Sequence, residues 1–203
     1  MAHFEYPRSI PAERLSNARL APNLGATLGA VRPGSIVAEI GVRLGDFTEI
    51  LLRQSAVAKL FAIDYFNLHA HKRSADGVRL NGAPHLDFFR ERFSKAVKSE
   101  RLETRIGRLD AIKALPPGSV NAFFIRGCRD FTALTNELYM CDAKLRPQGM
   151  LWIADYIMAD YTNGESYDTV RAVNEFVVKN PYDFNCLVLE GNMFCSVVLR
   201  RQL

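Results

Sequence analysis

The sequence predicts a three-layer α/β sandwich whose mostly parallel, seven-stranded sheet ends in an antiparallel hairpin. Three observations lead to this class. Short runs rich in β-branched residues alternate with longer amphipathic segments, the pattern of parallel strands joined by helices. A turn that contains two glycines joins the first strand to the first helix. Two apolar runs separated by Gly191 and Asn192 close the chain, as in a β-hairpin.

The first strand, turn and helix occupy residues 35–56. Residues 36–40 (IVAEI) are too few for a helix and rich in β-branched side chains, as expected of a parallel strand buried on both faces. From Asp46 the apolar residues follow the spacing of an amphipathic helix. Glycines in the intervening turn, residues 39–45 (EIGVRLG), permit φ > 0 and let a ligand lie against the backbone. The helix then directs free N–H groups at that ligand.

The spacing of this turn excludes two common nucleotide-binding motifs. A dinucleotide-binding turn requires G-x-G-x-x-G, but the second residue after Gly41 is Arg43. A Walker loop ends in Gly-Lys-Ser/Thr, which does not occur here. The order is instead E-x-G-x-x-x-G, from Glu39 to Gly45.

An acidic residue ends the second predicted strand. Residues 59–65 (KLFAIDY) include Asp64, 23 residues after Gly41, and a carboxylate at this edge of the sheet can accept both hydroxyl hydrogens of a ribose. The alternative is a solvated acid at a strand end. The turn and the acid together resemble motif I of the class I S-adenosylmethionine (SAM) dependent methyltransferases, which have a Rossmann-like fold. The resemblance implies that Glu39, Gly41, Gly45 and Asp64 bind SAM.

A long polar segment, residues 66–84, leaves the same edge of the sheet as Asp64. Loops of this length inside a compact domain are usually functional or mobile, so we expect a lid over the substrate. Its histidines could act as bases, with His69 as the candidate, or could simply be solvated. A helix is predicted over residues 84–99, a third strand over 102–106 and a fourth over 120–125. The resemblance implies that Asp110 borders the adenine, although a helix N-cap needs no such role.

A second specific block covers residues 123–156, with a helix over about 131–145 and a fifth strand over 150–154. This block resembles the small-molecule O-methyltransferases, nearest to the group that includes macrolide-sugar methyltransferases. The resemblance implies that Asp130, Asp155 and Tyr156 lie at the acceptor site, with the two aspartates as candidate bases.

The block also departs from the family pattern. Arg126 stands where the family has an aspartate, Arg129 where it has a histidine, and Gln148 where it has a glycine. Metal-assisted members hold a divalent cation with carboxylates after the fourth and fifth strands, and Arg126 takes the place of the first of these. A guanidinium cannot ligate a cation, so we predict no metal. The arginines could instead bind a carboxylate or phosphate of the substrate, or form ordinary surface ion pairs.

The ends of the chain complete the predicted domain. A helix over residues 167–179 and a hairpin over 186–200 follow the fifth strand, and the resemblance covers residues 35–203. Residues 1–34, with a helix over 11–20, are expected to form an N-terminal helical cover over the cofactor of a single-domain protein.

The composition argues against several classes of function. The 203 residues are 48% apolar and 24% charged with a net charge of +4, and no cluster of basic and aromatic residues suggests nucleic acid. No apolar run is long enough to span a membrane and no signal region precedes the domain, so we expect a cytoplasmic protein without membrane partners. The four cysteines show no CxxC spacing, so neither zinc nor disulfides are indicated.

The sequence therefore predicts an enzyme that transfers a methyl group from SAM to a small molecule and releases S-adenosylhomocysteine. The expected reaction is O-methylation, and the acceptor can be anionic. One alternative is a SAM-binding or S-adenosylhomocysteine-binding module or scaffold subunit that lost acceptor chemistry at Arg126 and Arg129. An NAD(P)-dependent reductase is disfavoured by the glycine spacing and the final hairpin. The sequence leaves open whether the domain forms a homodimer.

Overall fold

The computed structural model describes residues 6–54, 56–71, 74–162 and 164–202. Within these residues a single eight-stranded sheet forms the middle of the molecule. In chain order, its strands are β1 (Arg19–Ala21), β2 (Ile36–Ile40), β3 (Lys59–Asp64), β4 (Leu102–Ile106), β5 (Val120–Ile125), β6 (Leu145–Ile153), β7 (Tyr182–Leu189) and β8 (Cys195–Arg201). Their order across the sheet is β1-β7-β8-β6-β5-β2-β3-β4.

Helices cover both faces of the sheet, which confirms the predicted three layers. The α-helices are α1 (Asp46–Gln54), α2 (Ala75–Arg79), α3 (His85–Arg92), α4 (Ser94–Lys98), α5 (Leu109–Lys113), α6 (Phe131–Lys144) and α7 (Thr169–Lys179). One apolar core joins the sheet to α5, α6 and α7. The other joins it to α1, α3 and a 3-10 helix, Leu24–Ala30.

The central strand β2 is buried on both faces, as its sequence predicts. Val37 packs into one core and Ala38 and Ile40 into the other, and all three are fully buried. β2 pairs in parallel with β3 on one side and β5 on the other. Because the chain leaves β2 for β3 and returns later to β5, the carboxyl end of β2 is a switch point, where open α/β sheets bind ligands.

The sequence predicted seven strands, and the eighth is β1. It pairs in parallel with residues 186–188 of β7 at the edge of the sheet. The helix predicted over residues 11–20 is wrong, because this segment contains only a 3-10 turn at Ala12–Arg14 before β1. A three-residue strand is too short to show an alternating pattern, so its pairing with β7 is decided by tertiary contacts.

The predicted terminal hairpin is confirmed: β8 runs antiparallel to both β7 and β6. The helix predicted over residues 84–99 forms two helices, α3 and α4, with a break at Phe93 (φ −108°, ψ 26°). Residues 66–84 contain a 3-10 turn, Leu68–Ala70, and α2.

The cysteines are all free thiols, and two of them, Cys141 and Cys186, are buried. Burial raises the pKa of the Cys128 thiol to about 11, so this side chain is protonated near neutral pH. In the described part of the chain, no helix combines the length and the apolar character needed to cross a bilayer.

Candidate functional site

A cavity of about 640 Å³ opens at the carboxyl ends of β5 and β6. At least five parts of the chain line it. The 3-10 helix after Asn23 and one side of α1 form one wall, and the turn between β7 and β8 forms another. Arg126 and Asp155, which follow β5 and β6, form the floor with Ala154. The cavity therefore lies beside the switch point of the sheet.

The two glycines of the turn after β2 have structural reasons of their own. Gly41 has φ +82°, and a Cβ there would collide with the carbonyl oxygen of Arg126. Gly45 has φ +90°, and a Cβ there would collide with the ring of Phe93. From the sequence, both glycines are predicted to let a ligand approach the backbone. In the structure the closest atoms are the carbonyl oxygen of Arg126, just after β5, and the ring of Phe93, at the break between α3 and α4.

Glu39 lies beneath the cavity rather than in it. Only 3% of this residue is exposed, and its carboxylate accepts a 2.6 Å hydrogen bond from the hydroxyl of Thr48 on α1. Burial raises the pKa of Glu39 to about 8, although Thr48 and the guanidinium of Arg126 act in the opposite direction. Glu39 is therefore largely protonated at neutral pH.

Asp64 ends β3 next to the glycine turn. One carboxylate oxygen accepts the N–H of Phe66 at 2.9 Å and the other the N–H of Arg43 at 3.3 Å. The carboxylate stays partly exposed, and two exposed apolar residues flank it: Tyr65 (57% exposed) follows it, and Ile106 (64%) is its partner on β4. A partly exposed carboxylate can accept hydrogen bonds from the hydroxyl groups of a ligand, and the exposed apolar side chains beside it can pack against a ring of that ligand.

Arg108 and Glu137 form a buried ion pair beside this region, which the sequence analysis missed. Arg108 Nη2 donates to Glu137 Oε2 at 2.8 Å and to the carbonyl oxygen of Arg126 at 3.0 Å. The pair thus holds the loop after β5 in place. Glu137 could have been singled out, because it is a charged residue next to Leu138 on the buried side of α6. Asp110, the predicted adenine contact, is exposed in the first turn of α5 and does not line the cavity.

The two arginines after β5 both line the cavity but differ in their surroundings. Arg129 forms an ion pair with Glu165, and its guanidinium lies 4.3 Å from the ring centroid of Tyr167. Arg126 lies 5.8 Å from the ring centroid of Phe47, and its side chain has no ion pair or hydrogen bond among the described residues.

The fold places the two candidate aspartate bases in different surroundings. Asp155 lines the cavity, whereas the carboxylate of Asp130 accepts the N–H of Ala133 and caps α6. Tyr156 is half-buried outside the cavity lining, where its hydroxyl donates to Asn174 at 2.6 Å and its ring packs on Phe184.

The segment of residues 66–84 packs against the glycine turn, and its described residues do not line the cavity. His69 is exposed, and its Nδ1 accepts the N–H of His85 at 3.3 Å. His85 is fully buried and its Nε2 lies 2.6 Å from the carbonyl oxygen of Arg43. Arg43 also forms a 2.7 Å ion pair with Asp76 of α2. Among the residues described, no three His, Cys, Asp or Glu side chains are grouped as metal ligands would be.

No protein-family model and no curated protein sequence matches the chain. Solved structures do match. A SAM-dependent methyltransferase from Aquifex aeolicus is 16% identical over 95% of this chain and 94% of its own, with a TM-score of 0.60. A protein from Clostridium thermocellum that is provisionally named an rRNA methylase is 14% identical over 90% of this chain and 96% of its own, with a TM-score of 0.60.

The pyocyanin biosynthetic protein PhzM is 14% identical over 86% of this chain, with a TM-score of 0.58. This chain spans about half, 53%, of the length of PhzM. At such identities the likeness concerns the fold, and it agrees with the strand order and the terminal antiparallel hairpin described above. The chain therefore has the fold of the class I SAM-dependent methyltransferases.

Proposed function

We propose that this protein is a SAM-dependent methyltransferase that methylates a hydroxyl group of a small molecule. One observation carries the proposal: a carboxylate suited to a ribose and a cavity of about 640 Å³ lie on either side of the glycine turn, at the same edge of a class I methyltransferase sheet. The cavity is of the size that small-molecule sites usually have.

The residues around Asp64 fit the adenosine part of SAM. The carboxylate keeps free acceptor positions beyond its two backbone hydrogen bonds, and ribose hydroxyls are donors. Tyr65 and Ile106 expose apolar surface beside it, which would cover an adenine ring. These residues would bind the nucleoside, and the cavity on the other side of Gly41 would receive the acceptor.

Asp155 is the residue that we propose as the base. When bound, SAM supplies an activated methyl group on a sulfonium, so the protein needs mainly to orient the acceptor and remove a proton. Asp155 lines the cavity, and its carboxylate has no hydrogen bond or ion pair within the described chain. It is therefore free to accept the hydroxyl proton of an acceptor. Asp130 is already engaged as the cap of α6, and His69 lies outside the cavity lining.

Thermal denaturation with S-adenosylhomocysteine tests the cofactor claim. A ligand that binds only the folded state stabilises it by mass action, by about 2.7 kcal/mol at a concentration of 100 times Kd. We expect millimolar S-adenosylhomocysteine to raise Tm, and adenosine to raise it less. An unchanged Tm would refute the proposal. Binding without transfer of labelled methyl to any hydroxylated acceptor in a broad panel would instead support a binding module.

A further inference from the structure

The cavity is lined by two charged side chains of opposite sign, Arg126 and Asp155, that have no hydrogen bond or ion pair among the described residues. Arg126 follows β5 and Asp155 follows β6, the adjacent strand. Within the residues described, neither side chain makes a hydrogen bond or an ion pair, and they do not pair with each other. Both residues are only half-buried, so their charged groups stay available to a ligand that enters the cavity.

The other cations that line the cavity are already neutralised. Arg43 is paired with Asp76 at 2.7 Å, and Arg129 is paired with Glu165 while it stacks on Tyr167. Arg126 is thus the one guanidinium of the described lining that forms no ion pair. A guanidinium offers five donors in a planar fork that matches a carboxylate or phosphate. The guanidinium of Arg126 is therefore available to bind an anionic group in the cavity.

Asp155 is also held in a costly conformation. Its φ of +56° is in the left-handed region, which residues with a Cβ seldom adopt. Backbone hydrogen bonds on both sides fix it, because the N–H of Ala154 donates to Ile125 and that of Tyr156 donates to Cys195. Strain of this kind is found where a side chain must be presented at a site.

We propose that the methyl acceptor is a hydroxylated small molecule that carries a carboxylate or phosphate, and that Arg126 binds this anionic group while Asp155 faces the hydroxyl. This inference rests on the proposed function. In the transfer step the acceptor oxygen forms a bond with the methyl carbon, and the carbon–sulfur bond breaks with its electron pair remaining on sulfur. The hydroxyl proton passes to the carboxylate of Asp155. Arg126 is the residue that selects the acceptor.

The test is anion binding to wild type, Arg126→Gln and Arg129→Gln, with inorganic phosphate and benzoate as probes. Binding is followed by chemical-shift changes of the backbone amides of Gly127 and Asp155, with and without saturating S-adenosylhomocysteine. Arg129→Gln is the matched control, because it removes the same charge from the same cavity. We expect at least tenfold weaker binding of one or both probes to Arg126→Gln, and less than a twofold change for Arg129→Gln.

The cofactor also carries a carboxylate, so its affinity must be measured separately. We expect Arg126→Gln to bind S-adenosylhomocysteine as tightly as wild type does. If this variant instead loses affinity for S-adenosylhomocysteine but not for 5′-methylthioadenosine, which lacks the carboxylate, Arg126 binds the cofactor and the proposal is wrong. Equal anion affinity in all three proteins, or none in wild type, would also overturn it. If wild type does not bind S-adenosylhomocysteine, the methyltransferase function is rejected. The anion titration without S-adenosylhomocysteine still decides whether Arg126 binds anions.

Discussion

Replacing Glu39 with glutamine should change how the stability of the protein depends on pH. Burial raises the pKa of Glu39 from 4.5 to about 8. Between these values the folded chain keeps a proton that the unfolded chain has released, so the free energy of unfolding falls as the pH rises. A span of roughly 3 to 4 pH units, at about 1.4 kcal/mol per unit, gives a loss of roughly 5 kcal/mol by pH 8.

Glutamine has nearly the same shape, can still accept the hydrogen bond from Thr48, and does not titrate. We therefore expect Glu39→Gln to gain stability relative to wild type as the pH rises from 5 to 9, by about 4 kcal/mol. Urea denaturation of both proteins at each pH unit measures this difference, and other titrating groups cancel in the comparison. Glu91→Gln, which makes the same replacement at an exposed site on α3, is the control.

A difference between Glu39→Gln and wild type that stays constant from pH 5 to 9 would contradict this reasoning. It would mean that Glu39 has nearly the same pKa in the folded and unfolded chains, so that water or a nearby cation stabilises the charged form. A gain that continues to grow well above pH 8 would place the folded-state pKa higher than the value of about 8 used here.

Two further predictions concern ligands. Asp64→Ala should weaken S-adenosylhomocysteine binding by about 1.5 to 3 kcal/mol in calorimetry, because charge-assisted hydrogen bonds to the ribose are lost; wild-type affinity would make Asp64 an ordinary acid at a strand end. EDTA should leave methyl transfer unchanged in a labelled-methyl assay, because Arg126 stands where a metal-binding carboxylate would be needed and Asp130 caps α6. Activity lost on chelation and restored by magnesium would count against this prediction.

The sequence by itself determined which strands, turns and helices surround the site. The apolar run of β2, the glycine turn and the helical spacing from Asp46 are local patterns, and they predicted the first strand, turn and helix. Arg126 and Asp155 could be placed together because they directly follow two parallel strands, whose carboxyl ends meet at one edge of the sheet. The final hairpin was predicted from two apolar runs and the turn between them.

Tertiary structure alone decided how the side chains of the site are used. Arg108 and Glu137 pair across 29 residues, and the ring that requires Gly45 belongs to Phe93. The raised pKa of Glu39 depends on complete removal from water, which no local spacing specifies. Burial and pairing at this edge are set by elements that are distant in the chain and pack together only in the folded protein. Local patterns therefore predict which residues reach the edge, whereas packing determines which of them remain free to bind a ligand.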